Sequence, residues 1–256
     1  MSDAPAARPS VLRRGLWWAA DYVYAARRQL AVLSLPWAIG RPRPAPDAWR
    51  HGDPELPEAY LVPGVYEHWT FLRPLGDALA EAGHRVRVVH GLGVNRRSIA
   101  ETADRLARLL GETPAPPGGR VLVAHSKGGL IGKHVLVPSG AATSDSPVPP
   151  LGLLGLVAVA TPFHGSKLAR LFVDPSIRAF RPADVTIVAL TGETGVNSRI
   201  VSIFGPFDPH IPEGSVLDGA VNVQVPMSGH FRVLASPATH RAVLDGITLL
   251  ARRDAD

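Results

Sequence analysis

The sequence predicts an α/β protein: a mostly parallel sheet of about six strands with helices on both faces, preceded by an N-terminal amphipathic helix. Three observations carry this reading. From residue 59 onward, short Val/Leu/Ile runs alternate with segments of helical period. Those runs are almost continuously apolar, as buried parallel strands require. Cap and stop residues also bracket the helical segments.

Residues 11–35 repeat apolar side chains at Leu12, Leu16, Ala19, Val23, Ala26, Leu30 and Leu33, steps of four and three that draw one helix face. Trp17 and Tyr24 flank this stripe, while Arg14, Asp21 and Arg28 share the opposite side. The stripe is as wide as an ordinary packed helix needs, so it is expected to face the domain. The arginines with Trp17, Trp18 and Tyr24 also suit a membrane surface. A Pro-rich linker, RPRPAP at 41–46, follows. The chain therefore divides into helix and linker at 1–46 and a main domain at 47–256.

AYLVPG (59–64) reads as a buried strand ending in a turn, and 69–82 as a helix through Leu72, Leu75 and Leu79, stopped by Gly83. RVRVVHG (85–91) is the next strand. Ser98 and Glu101 form a capping box that opens a helix running to Gly111. RVLVAH (120–125) is a strand continued by a helix, KGGLIGKHVLV. LGLVAVAT (154–161), RIVSIFG (199–205) and AVNVQV (220–225) complete the strands. Ser236-Pro237 opens a C-terminal helix with Val243, Ile247 and Leu250 on one face.

Composition narrows the function. The 256 residues fit a single α/β domain with a full core. The chain has no cysteine, which excludes disulfides, thiolate catalysis and Cys-based zinc sites. The formal charge of +5 comes almost wholly from arginine, lysine occurring only at 127, 133 and 167. The arginines are scattered in short pairs with no basic stripe and interleaved aromatics, so nucleic acid is not a predicted partner. No long uninterrupted apolar run exists to span a membrane. Arg13-Arg14 before an apolar stretch has something of an export signal, but Asp21, Arg27 and Arg28 interrupt it and no small-residue cleavage site follows. The reading is a cytoplasmic protein, with residues 11–35 offering peripheral membrane contact.

The informative segment is Val121-Leu122-Val123-Ala124-His125-Ser126-Lys127-Gly128-Gly129. A buried strand runs straight into a serine, and a helix begins at once. A nucleophile on so sharp a turn needs small neighbours, which Ala124 and Gly128 supply. The turn also puts Ser126 at a helix N-terminus, where partial positive charge favours a developing anion. This segment resembles the nucleophile elbow of α/β-hydrolases, and A-H-S-x-G-G is similar to that of small bacterial lipases and esterases. Ala124 stands where the G-x-S-x-G pattern has its first glycine. The resemblance covers roughly residues 57–250, the span of legible βα alternation.

The resemblance implies further site residues. In Leu61-Val62-Pro63-Gly64-Val65-Tyr66, Val65 matches a backbone N–H donor to an oxyanion, with the Lys127 N–H as the second donor and Pro63 where histidine is common. Ala160-Thr161-Pro162-Phe163-His164-Gly165-Ser166 resembles the T-P-x-H-G-S segment of the same families, in which His164 orders the loop by hydrogen bonding and is not the base. The fold orders its triad Ser, acid, His along the chain, which leaves His134, His164, His210, His230 and His240. His230, in PMSGHFRV between the last strand and a capped helix, is the base. Asp208, in GPFDPHIP after the preceding strand, is the acid. Asp174 and Asp184 follow the wrong strand, and Asp218 precedes the last one.

These residues together imply a serine hydrolase cleaving small-molecule carboxylic esters through an acyl-enzyme, with no cofactor or metal needed. Acyltransferase and thioesterase activities would use the same triad, and an inactive binding module would use the same fold. Residues 168–180, through Leu168, Leu171, Phe172, Ile177 and Phe180, serve equally well as an apolar cap over the site or as helix-to-sheet packing.

Overall fold

The computed structural model describes residues 10–33, 45–92, 94–137 and 151–255. Most of the Pro-rich linker (41–44), and the last two residues of the expected N-terminal helix, lie outside them. Six strands form one sheet in the order β2-β1-β3-β4-β5-β6, with every neighbouring pair parallel. They are β1 (Glu58–Val62), β2 (Val86–Val88), β3 (Arg120–His125), β4 (Leu153–Val159), β5 (Ile200–Phe204) and β6 (Val221–Gln224). The helices are α1 (Val11–Leu33), α2 (Arg73–Glu81), α3 (Ile99–Gly111), α4 (Lys127–Leu136), α5 (Pro175–Arg178), α6 (Val185–Gly192) and α7 (Pro237–Ala255).

Two apolar layers cover the sheet, as the continuous strand hydrophobicity predicts. Val121 and Val123 of β3 pack with Leu75 and Leu79 of α2 and with Val243, Ile247 and Leu250 of α7. Leu122 and Ala124 point the other way, against Leu106 and Leu110 of α3, Leu130 and Ile131 of α4, and Ile187 and Leu190 of α6. Burying each of these Val, Leu and Ile side chains contributes roughly 1.5–3 kcal/mol relative to exposure.

Local chemistry sets the element ends. Ser98 Oγ accepts from the Glu101 N–H at 3.2 Å while the Glu101 carboxylate accepts from the Ser98 N–H at 3.0 Å, the expected capping box. Gly83, at φ +93°, ends α2 as anticipated. The helix predicted over 69–82 starts instead as a 3₁₀ turn, Trp69–Leu72, before α2 begins with Pro74 in its first turn. The strand expected over 85–91 keeps only Val86–Val88 in the sheet. Helix α6 was not anticipated; its start is fixed by Asp184, whose Oδ1 accepts from the Thr186 N–H at 2.9 Å.

The strand order reverses between β1 and β3, which neighbour each other with Val62 opposite Ala124. The loops leaving the C-terminal ends of these two strands therefore diverge and open a crevice, the place where open α/β sheets bind ligands.

Helix α1 forms as expected but packs by the other face. Asp21 is fully buried, whereas Leu12, Leu16 and Val23 are 76%, 63% and 58% exposed. The cause is hydrogen-bond demand: the Asp21 carboxylate accepts the backbone N–H groups of His230, Phe231 and Arg232 at 2.9, 2.8 and 2.9 Å. Such a carboxylate satisfies donors that burial would otherwise strand, and that outweighs turning the apolar stripe inward. Trp17 meets Phe207 and Tyr22 meets His210, with ring centroids 5.9 and 5.5 Å apart.

Candidate active site

Strand β3 delivers Ser126 to the mouth of the crevice. Its backbone is held at φ 51°, ψ −120°, a region that non-glycine residues seldom occupy. The turn is so tight that a Cβ on Gly128 would lie 2.1 Å from the Val62 carbonyl oxygen. The small residue anticipated there is a steric requirement. Thr161 Oγ1 donates to the Ser126 carbonyl at 3.0 Å and ties the loop after β4 to the elbow.

Ser126, His230 and Asp208 come together. His230 Nε2 lies 3.0 Å from Ser126 Oγ, and His230 Nδ1 lies 2.7 Å from Asp208 Oδ2. Asp208 Oδ1 accepts the His210 and Ile211 N–H groups at 2.8 and 3.1 Å, which leaves Oδ2 for the imidazole. Burial opposes charge on His230, but the Asp208 carboxylate and its hydrogen bond prevail and raise the imidazole above its ordinary value of 6.5. Asp208 is held below the ordinary carboxylate value: its burial is outweighed by His230 and by the His210 N–H.

The other acids lie elsewhere. Asp174 caps α5 through the Ser176 N–H at 2.8 Å, accepts from the Tyr66 hydroxyl and pairs with Arg96 at 3.7 Å. Asp184 caps α6; Asp218 lies before β6, and its backbone carbonyl accepts from Asn197 Nδ2 at 2.7 Å. His210 sits beside His230, ring centroids 4.8 Å apart. Burial and the neighbouring His230 lower it to about 4, so it stays neutral.

The β1 turn lies across from the elbow. Neither the Val65 nor the Lys127 N–H donates to a protein acceptor among the described residues. Glu67, which the sequence did not single out, bridges this region. Its Oε2 accepts the Gly64 N–H at 2.7 Å and its Oε1 meets His125 Nδ1 at 2.7 Å. His125 Nε2 in turn reaches the His230 carbonyl oxygen at 2.9 Å, so one buried chain links the β1 turn to the His230 loop. The Lys127 side chain is also buried. It donates to the Asn95 carbonyl at 2.8 Å and to that of Arg97, and burial lowers its pKa to about 8.

His164 departs from expectation. It is exposed and makes no hydrogen bond among the described residues. The loop is ordered instead by Ser166, whose N–H donates to Phe180 O and whose hydroxyl donates to His210 O, both at 2.7 Å. Gly165 sits at φ +77°, where a Cβ would lie 2.6 Å from the Phe180 carbonyl oxygen.

Ser126 and His230 open onto a cavity of about 590 Å³. Leu168, Leu171, Phe172, Ile177 and Phe180 all line it, so the 168–180 segment caps the site. Trp18 and Tyr22 of α1 line it from the other side. A cleft of about 680 Å³ lies at the opposite ends of the strands, around Gly118 and Gly152, away from these groups. Among the described residues no cluster of three or more His, Asp or Glu could hold a metal ion, and no helix is long and apolar enough to cross a membrane.

A sheet of this order, with a serine on the strained turn after β3, defines the α/β-hydrolase fold. Solved structures agree. Bacillus licheniformis lipase BlEst2 in mature form superposes with a TM-score of 0.61 at 14% identity, covering 77% of this chain and 94% of that one. Aspergillus fumigatus lipase B gives 0.58 at 16%, covering 79% and 55%, and the metagenomic carboxyl esterase MGS0156 gives 0.55 at 16%, covering 84% and 81%. No family model and no curated protein sequence matches the chain.

Proposed function

We propose that the protein is a serine hydrolase of carboxylic esters, with Ser126 as nucleophile, His230 as general base and Asp208 as its orienting acid. The observation that carries this reading is the continuous line of hydrogen bonds from Asp208 Oδ2 through His230 to Ser126 Oγ, at 2.7 and 3.0 Å. Pairing with an acceptor-only carboxylate requires the proton on Nδ1, which leaves Nε2 to accept the serine proton.

The steps follow. His230 Nε2 takes the Ser126 proton as Oγ bonds to the ester carbonyl carbon. The carbonyl electron pair moves onto oxygen, where the Val65 and Lys127 N–H groups receive it. Collapse of this intermediate expels the alkoxide, which takes the proton from His230 and leaves as the alcohol. Water then gives a proton to His230 and attacks the acyl group on Ser126. The second collapse releases the carboxylic acid and returns the proton to Oγ. The apolar lining of the cavity, from Val65 to Phe180, favours an apolar acyl or alcohol part.

Labelling with a fluorophosphonate, followed by mass mapping, tests the reading. Ser126 should carry the adduct, and Ser126→Ala should abolish both labelling and hydrolysis of short acyl esters. A folded alanine variant with full esterase activity would overturn it.

A further inference from the structure

We infer that the outward face of α1, with the exposed edge of the 168–180 cap, docks the protein on an anionic lipid surface with the cavity mouth toward the bilayer. The docking of α1 through Asp21 leaves its stripe of Leu12, Leu16, Ala19, Val23 and Ala26 facing outward. A helix held by its polar side, with an unbroken apolar stripe turned to solvent, reverses the usual amphipathic arrangement.

The stripe is continuous with the site. Trp18 and Tyr22, 51% and 43% exposed, stand on its margin and line the cavity. Across the mouth, Leu171, Phe172 and Val173 form a second exposed apolar edge. Contiguous apolar surface of this kind marks an interaction site rather than scattered exposure.

Charge selects the occupant. Exposed Arg27 borders the α1 stripe, and exposed Arg170 and Arg178 flank the cap edge. The acidic groups on these segments are already consumed: Asp21 by three backbone N–H groups, Asp174 by Tyr66, Ser176 and Arg96. Apolar side chains fringed by unopposed arginines match acyl chains beneath anionic headgroups. The orientation relative to the cavity rests on the ester-hydrolase reading; the docking itself does not.

Co-sedimentation of the full chain with vesicles of phosphatidylcholine containing about one-third phosphatidylglycerol provides the test. Wild type should pellet with these vesicles, less with phosphatidylcholine alone, and less again at high salt. Leu16→Glu/Val23→Glu, which leaves the cavity lining untouched, should weaken binding by about tenfold or more. Hydrolysis of a water-soluble ester should be unchanged in that variant. Equal pelleting of variant and wild type, or no pelleting of wild type, overturns the inference. So does a lipid-independent dimer of the wild type that the double variant dissolves in sedimentation velocity, because the stripe then belongs to a second copy. Vesicle binding without hydrolysis of any ester would leave the docking standing and remove the proposed activity.

Discussion

One buried carboxylate of Asp21 holds the backbone of His230 from 209 positions away in the chain. Asp21 Oδ2 accepts the His230 N–H at 2.9 Å, and Oδ1 accepts the next two, from Phe231 and Arg232. The imidazole is thus gripped twice, through its ring by Asp208 and through its main chain by α1. A Cβ at Gly229 would come within 2.6 Å of Asp21 Oδ1, so the loop can approach the carboxylate only with glycine there.

Asp21→Ala strands one buried and two part-buried donors, each costing on the order of 1–3 kcal/mol, part of which entering water relieves. The expected loss is about 3 kcal/mol, a fall in Tm of about 6–12 °C for a domain of this size. Turnover should drop while KM changes little, because the base loses its placement rather than the cavity its shape. Thermal unfolding and steady-state kinetics on one preparation check this; an unchanged Tm with unchanged kcat would show the clasp to be idle.

Asp208→Asn should lower turnover by about 10⁴, the scale seen when a triad acid loses its charge and stabilises the wrong tautomer. Asp174→Asn should cost little, since Asp174 is occupied by Tyr66, Ser176 and Arg96. Comparing the two variants on a short ester decides the assignment: collapse in Asp174→Asn with near wild-type rates in Asp208→Asn would move the acid.

The raised pKa of His230 fixes the sign of the pH response. As the proposed base, His230 works only when neutral, so kcat/KM should fall as pH drops through a midpoint above 6.5. In Asp208→Asn the largest raising influence is gone, while burial and the weaker pull of Glu67 and Asp21 remain, so the midpoint should move to lower pH. Titration of the His230 imidazole by NMR reads the shift even where the variant is too slow to assay. A midpoint that stays put would show that Asp208 does not set it.

Much of this architecture was legible because single residues enforced it. A strand that meets a serine before a helix can be read locally, and Gly128 is required by a carbonyl 2.1 Å from its absent Cβ. Asp208 and His230 were readable because the order of strands places their loops side by side. Asp21 was not readable. Helical period assigned it to solvent with Arg14 and Arg28, and the donors that draw it inward belong to residues at the far end of the sequence. Glu67 and His125 escaped for a related reason, since a hydrogen bond over 58 positions leaves no periodic trace. His164 failed in the opposite sense: its motif implied a hydrogen-bonding role that Ser166 performs.

The span between Asp21 and His230 also sets an order of assembly. Helix α1 precedes all six strands in the chain, yet the groups that hold it come from the loop after β6. Closing so long a loop is entropically unfavourable until the sheet has brought its ends near. The α1 clasp is therefore expected to form late in folding, and a chain whose sheet is incomplete carries Ser126 with His230 unanchored. In refolding, Trp17 and Trp18 should report their final environment only after the sheet has formed. On the proposed reading, the base is in place only once α1 and the loop after β6 have met.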